Sequence, residues 1–286
     1  MVDETRLYKR AAVIEQPAPL LHIGRGCAFW AGATAYLGDH QGGAPVLLAG
    51  LYGKFRLRLR GGSWLACRAA IIPSGIWHEL NFGGEPFAAL YIEPNLGALD
   101  ALFPLLRGFR EIDGVLLGDS AEIPLFRSFY ENSSSPQWVE NALCDLTMFA
   151  KKTSHAEPID PRLSDVVDFL HERYFDLTPV DDLARSVGLS ASRFQHLFTQ
   201  QIGVPFRRYR AWSRLRGAWR DVAEGASLTR AAHASGFFDS AHFAREYRRT
   251  FGKAASDGRR IARTTQMIMH SAADDGEAGP QRHRRE

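Results

Sequence analysis

Cysteine is scarce: Cys27, Cys67 and Cys144 are the only three in 286 residues, far apart and without a Cys-x-x-Cys pair. That argues against a disulfide framework and a zinc knuckle, and leaves the three as expected small, reduced core residues. Close histidine pairs are also missing. The ten histidines include no two within four residues of each other, so the His-x-His element of a barrel metal site is absent and no metal or cofactor is expected. No run of 18 or more apolar residues occurs, which excludes a membrane-spanning helix. The stretch Met1-Val-Asp-Glu-Thr-Arg-Leu-Tyr-Lys-Arg10 mixes charges without an apolar segment behind it. No signal peptide is expected, and the cytoplasm is the expected compartment.

What is present is 45% apolar content over a length that can hold two domains with their own cores. The net charge of +3 is unevenly spread. Residues 1–160 hold 14 Lys/Arg against 17 Asp/Glu, residues 161–204 hold 4 against 6, and residues 205–263 hold 14 against 5. A local excess of that size is what a phosphate-binding surface requires.

The basic region overlaps a short pattern that occurs twice. Asp182-Leu-Ala-Arg-Ser-Val-Gly-Leu-Ser190 is followed by a segment ending at Gly203, and Arg230-Ala-Ala-His-Ala-Ser-Gly-Phe-Phe-Asp239 by one ending at Gly252. Gly188 matches Gly236 at an offset of 48, whereas Phe198 and Tyr247 match at 49, so the second turn is one residue longer. Phe194, Phe198 and Ile202, and again Phe243, Tyr247 and Phe251, recur at i, i+4 and i+8 and form one buried stripe per helix. The opposite faces stay polar, with Ser192, Arg193, Gln195, His196 and Thr199 in the first copy and Ser240, Arg245, Arg248 and Arg249 in the second. A glycine at each turn lets one short helix swing across another, as in a helix-turn-helix unit. Between the copies, Pro205 to Ala223 carries Phe206, Tyr209, Trp212, Leu215, Trp219 and Val222 at helical spacing. Such a rod spans roughly 28 Å, comparable to the ~34 Å repeat of major-groove faces on one side of B-DNA.

These residues, with Gly203-x-Pro205-Phe, Gly236-Phe237 and His242-Phe243-x-Arg245-x-Tyr247-(x)3-Phe251-Gly252, resemble the C-terminal DNA-binding domain of the AraC/XylS transcription regulators over about 100 residues. The run Lys253-Ala-Ala-Ser-Asp-Gly-Arg-Arg260 departs from that pattern, with Ala255 and Gly258 where the family has Pro and Tyr, so a looser closing helix is expected. The resemblance implies double-stranded DNA as partner, with RNA polymerase a further candidate. It implies base reading by Ser192, Gln195, His196 and Thr199 in the first unit and by Ser240, Ala241, Ala244 and Arg245 in the second. Arg207, Arg208, Arg248 and Arg249 lie at helix ends or flanks and are expected on phosphates.

Residues 1–95 read as β structure, short apolar segments parted by Gly42-Gly43, Gly61-Gly62, Pro73-Ser-Gly75 and Gly83-Gly84. Lys54 to Arg60 alternates strictly, which predicts Phe55, Leu57 and Leu59 facing a core and the basic side chains facing outward. Ile71-Ile-Pro-Ser-Gly-Ile-Trp-His-Glu79 resembles the cupin-like sensor domain of the same family. His40, Trp64, Trp77, His78 and Tyr91 are then either barrel filling or the lining of a small-molecule effector pocket. Leu99, Leu102, Phe103 and Leu106 predict one amphipathic helix. Trp138, Ala142, Leu146 and Phe149 predict another over Pro136 to Lys152, a candidate for homodimer pairing. Asp160-Pro161 opens a further helix with Leu163, Val166, Val167, Leu170 and Tyr174 inside, and Thr178-Pro179 opens the next in the same way.

The expected class is α+β: an N-terminal cupin-like β-barrel followed by amphipathic helices, then an all-α domain with two helix-turn-helix units joined by a long helix. The expected division is 1–130 sensor, 131–158 helix and linker, 159–263 DNA-binding domain and 264–286 disordered tail. The function this implies is an effector-controlled transcription regulator that catalyses no chemistry. The alternatives are a cupin-type enzyme with a fused helical domain, or a DNA binder whose barrel only dimerises.

Overall fold

The computed structural model describes residues 17–255, apart from 25, 95–98, 121, 133–134 and 155–157, together with 266–269. The expectations about the first ten residues, Gly258 and 270–286 lie outside the described residues.

Strands run in order as β1 (Leu20–Ile23), β2 (Cys27–Ala33), β3 (Tyr36–His40), β4 (Val46–Gly50), β5 (Phe55–Leu59) and β6 (Trp64–Cys67). They continue as β7 (Ala69–Ile72), β8 (His78–Asn81), β9 (Pro86–Ile92), β10 (Leu106–Ile112), β11 (Val115–Ser120) and, far along the chain, β12 (Gln266–Met269). One sheet has the order β10-β11-β7-β4-β9-β2-β1-β12 and the other β3-β8-β5-β6. Every pairing is antiparallel except β1 with β12.

Sequence pattern explains which strand lies where. In β5, Phe55, Leu57 and Leu59 are buried while Arg56 and Arg58 face outward, the alternation of a strand with one wet face. Those leucines meet Leu48, Ile72 and Phe87 of the large sheet in a shared core that makes the two sheets a barrel. Strand β4 has no alternation because it is buried on both sides. Its Leu47 and Ala49 point away from the barrel core to a second cluster with Phe29, Phe126, Phe129, Leu143 and Leu146. The helices of that cluster are α1 (Ile123–Glu131) and α2 (Pro136–Thr153).

Four local expectations are corrected here. The helix around Leu99 to Leu106 is a single 3-10 stretch, Asp100–Leu105, and Leu106 already begins β10. Pro104 within it has no N–H to continue a helical ladder. In α2 the buried stripe is Val139, Leu143, Leu146 and Ala150, whereas Trp138 and Phe149 are exposed. The helix is turned by about one position because its small and branched residues fit against the sheet, and Trp138 only edges onto Phe129 at 5.1 Å. Cys27 and Cys67 are buried, but Cys144 is exposed. Within the expected tail, Gln266–Met269 is a strand on the edge beside β1.

The C-terminal helices are α3 (Pro161–Glu172), α4 (Val180–Ser186), α5 (Ala191–Ile202), α6 (Phe206–Ala223), α7 (Leu228–Ala234) and α8 (Ser240–Phe251). Asp160 caps α3, its carboxylate accepting from the Arg162 N–H, with Pro161 in the first turn. The start of α4 differs: Pro179 holds the cap position, and Asp176 instead accepts from the Thr178 N–H. Leu163, Val166, Val167 and Leu170 are buried as expected, and Tyr174, beyond the end of α3, bonds Asp221 of α6. The first half of α6 packs Phe206, Tyr209 and Trp212 into one core with α3, α4 and α5. The second half packs Leu215 and Ala218 into another with α7 and α8.

Candidate nucleic-acid interface and the cavity behind it

Each helix-turn-helix unit is set by local chemistry. Gly188 and Gly236 sit at φ +69° and +77°, a region L-residues avoid, and turn the chain between the paired helices. Ser190 and Asp239 then cap α5 and α8 through the Arg193 and His242 N–H groups. With Phe194, Phe198 and Ile202 buried, α5 leaves Ser192, Gln195, His196 and Thr199 exposed. With Phe243 and Tyr247 buried, α8 leaves Ser240, Ala241, Ala244 and Arg245 exposed. All eight residues expected to read bases therefore lie on outward faces of the two helices.

The four arginines expected on phosphates divide. Arg207 and Arg248 are exposed. Arg208 is only 7% exposed: its guanidinium donates to Gln41 O and to Thr250 Oγ1 at 3.0 Å, and pairs with Glu246 at 3.0 Å. Burial brings it down to about 10, against the opposing pull of Glu246. Arg249 is exposed, like Arg207 and Arg248, with its guanidinium 5.7 Å from the Trp77 ring centroid and Nη2 donating to the Gln41 amide oxygen at 3.0 Å. Arg208 is thus buried against the barrel and turned from solvent, whereas Arg249 stays exposed while its guanidinium lies toward Trp77. A sequence window shows that an arginine lies near a helix end but not that a β-strand will cover it.

The barrel and the helical domain meet along α6 and α8. The Gly38 N–H donates to Gly252 O at 2.8 Å and the Gln41 N–H to Arg249 O at 2.9 Å, so β3 is sewn to the end of α8 by backbone. The end of α5 meets the barrel through Ser74 Oγ, which donates to Ile202 O at 3.4 Å. At the centre Glu93, which follows β9 and is 2% exposed, accepts from Tyr209 Oη at 2.7 Å and Trp212 Nε1 at 3.2 Å and pairs with Arg216. Burial pushes its carboxyl up, but Arg216, His171 and the two hydrogen bonds outweigh that, so it stands below its ordinary value and stays ionised. Arg216 also donates to Gly24 O at 2.6 Å.

Beside this anchor lies a cavity of about 120 Å³, about the size of apolar cavities that accept a benzene-sized molecule. Its walls come from both domains: Trp30, Leu48, Phe87 and Tyr91 on the barrel side, and Trp212, Trp219, Tyr247 and Phe251 on the helical side. Arg216 and Lys253 supply the cationic groups of the lining, with Lys253 Nζ 5.4 Å from the Trp30 ring centroid.

Of the five expected pocket residues, His40, His78 and Tyr91 line this cavity. The two imidazoles are 4.2 Å apart between centroids, and burial holds both below the ordinary histidine value, His78 at about 4. Trp64 and Trp77 do not line it; they lie on the outer face of the small sheet under the guanidiniums of Arg58 and Arg60, at 4.7 and 4.1 Å. Trp30, Trp212, Trp219 and Tyr247 were missed as lining. Trp212 and Trp219 are seven apart and share a face of α6, but nothing local says that the face meets a barrel mouth. Among the described residues, no group of three or more His, Cys, Asp or Glu side chains is placed to hold a metal ion, and no helix is long and apolar enough to cross a membrane.

Residues 183–261 match the family described as a helix-turn-helix domain. No curated protein matches the chain in sequence. The whole architecture is similar to apo ToxT K231A from Vibrio cholerae strain SCE256, with a TM-score of 0.57 at 12% identity, covering 83% of this chain and 98% of that one. It is likewise similar to wild-type ToxT of that strain with an unsaturated fatty acid bound, with a TM-score of 0.53 at 13% identity over 82% and 95%. A transcriptional regulator from Chromobacterium violaceum, described by its AraC-type DNA-binding domain, is 27% identical over 36% of this chain and 92% of its own, with a TM-score of 0.33. This chain therefore carries a sheet-rich N-terminal domain followed by a helical domain that holds a helix-turn-helix module over residues 183–261.

Proposed function

We propose that the protein is a cytoplasmic, sequence-specific transcription regulator, not an enzyme, whose DNA affinity responds to a small apolar acid held between barrel and helical domain. The observation that carries this reading is the shared cavity: its lining includes Tyr247, Thr250 and Phe251 of α8, the same helix that presents Ser240, Ala241, Ala244 and Arg245 outward. A ligand there contacts the back of a reading helix. Apolar walls suit a hydrocarbon or ring, and Arg216 and Lys253 suit a carboxylate. The fatty acid in the Vibrio cholerae neighbour supports the same class of ligand. His40, His78 and Tyr91 belong to this site, and Ser192, Gln195, His196 and Thr199 to the other reading helix.

Such a ligand changes DNA affinity only through a different affinity for two arrangements of the domains. The test is operator binding by the full chain with and without a benzene-sized carboxylic acid, benzoate or a short-chain unsaturated fatty acid, beside a thermal melt. At a hundred times its dissociation constant, the ligand adds about 2.7 kcal/mol to folded-state stability. A melt that rises while operator affinity stays fixed would leave the barrel as a scaffold and end the effector reading.

A further inference from the structure

The residue that makes the second turn longer than the first is Phe238. In the first unit the left-handed Gly188 is followed by Leu189 and then the cap Ser190; in the second, Gly236 is followed by Phe237, Phe238 and then the cap Asp239. Phe237 takes the inward place, 3% exposed, with its ring edge-on to Phe243 at 5.2 Å and to His242 at 5.4 Å. Asp239 is fixed by accepting from the His242 N–H. The backbone on both sides is therefore held, and Phe238 is carried outward at 86% exposure, the highest among the exposed large hydrophobic side chains of the described residues. It stands just ahead of the N-terminus of α8, the end that a recognition helix presents to base edges.

The surface that continues from it carries one hydroxyl, that of Ser240, and is otherwise small and apolar up to Arg245. Ser240, Ala241 and Ala244 are exposed and small, and the first charge on the outer face of α8 is Arg245. An aromatic ring beside two alanines offers no hydrogen bond to a base edge. It matches the single apolar group in the major groove, the C5-methyl of thymine.

Resting on the DNA-binding reading above, we propose that Phe238 is a specificity-determining residue that packs against a thymine methyl at the edge of the site read by α8. Full-length protein and its Phe238→Ala variant each select duplexes from a random-sequence pool. The selected duplex is then compared with one in which each thymine in turn is replaced by deoxyuridine, which lacks only the methyl. Wild type is expected to lose about fivefold or more at one thymine. Phe238→Ala should bind the thymine duplex as weakly as wild type binds the uracil one and no longer distinguish them, while Phe238→Leu keeps part of the preference. Arg245→Ala, by contrast, should lose affinity yet still distinguish thymine from uracil. If Phe238→Ala selects the same sequence with the same thymine-to-uracil ratio, the proposal is overturned while the DNA-binding reading stands. If wild type enriches no duplex at all, both fall.

Discussion

The first helix-turn-helix unit meets the barrel through the Ser74 hydroxyl on Ile202 O and through apolar packing of its core on Ala44 and Tyr91, whereas the second is joined to strand β3 by two backbone hydrogen bonds at Gly252 and Arg249. The cavity repeats the asymmetry. Tyr247, Thr250 and Phe251 of α8 and Lys253 beyond it line the cavity, and no residue of α5 does. Two units written by one pattern thus differ in what restrains them. A ligand's energy acts directly on the second reader and reaches the first through α6, whose two halves belong to the two helical cores, and through Tyr91 and Phe251, which line the cavity and pack against the first core.

The largest expected effect comes from removing what both units share. Glu93→Gln leaves Arg216 buried without its partner, a loss of about 3–5 kcal/mol, read as a lowered midpoint in chemical denaturation. Loss confined to one unit in hydrogen exchange would show that α6 does not couple them.

Acid tests the β3 side alone. His78 is held at about 4 rather than 6.5, with Asp39 pulling the other way, and His40, facing His78 and Arg208, lies well below its ordinary value. Their folded-state values are depressed, so below about 6.5 the unfolded chain binds protons that the folded chain refuses. Stability should fall between pH 6.5 and 4, by on the order of 3 kcal/mol for His78 alone. Denaturation midpoints at pH 7.5 and 4.5, repeated on His78→Phe, check it: the variant should lose about half of the slope, the part left being that of His40.

The two C-terminal caps give the comparison its sharpest control. Gly203 and Gly252 both end a reading helix at positive φ, +82° and +70°. A side chain in that conformation costs about 1–2 kcal/mol at either place. At Gly252 an added Cβ would also lie 2.6 Å from Gly38 O, in the backbone seam, while at Gly203 the nearest atom is Ser74 Oγ at 3.0 Å. Gly252→Ala should therefore cost more than Gly203→Ala and loosen the second unit. Equal costs would remove the asymmetry.

The smallest effect concerns phosphates. Arg248→Ala should flatten the slope of log affinity against log salt by about 0.9. Arg249→Ala, whose guanidinium rests on Trp77 and Gln41, should flatten it less.

Much of this was legible from the chain. The alternation of Lys54 to Arg60 placed β5, and the turn glycines with the i, i+4, i+8 stripes placed α5 and α8. Asp113-Gly114, both at positive φ in the hairpin from β10 to β11, carried a turn signal that went unread among the helical-looking leucines before it. Strand β12 was illegible because its pairing with β1 joins residues nearly 250 positions apart.

The sequence by itself determined the two readers. Periodicity, a left-handed glycine and a capping oxygen all act within a dozen residues, and those interactions are the same wherever the segment is docked. Only the tertiary structure decided which arginine is buried, which tryptophans see the cavity and which reader touches it. Each of these depends on a meeting between barrel and helix, as between Glu93 and Tyr209 or Gly38 and Gly252, where the partner's identity is set by packing across more than a hundred residues and leaves no trace in the local pattern.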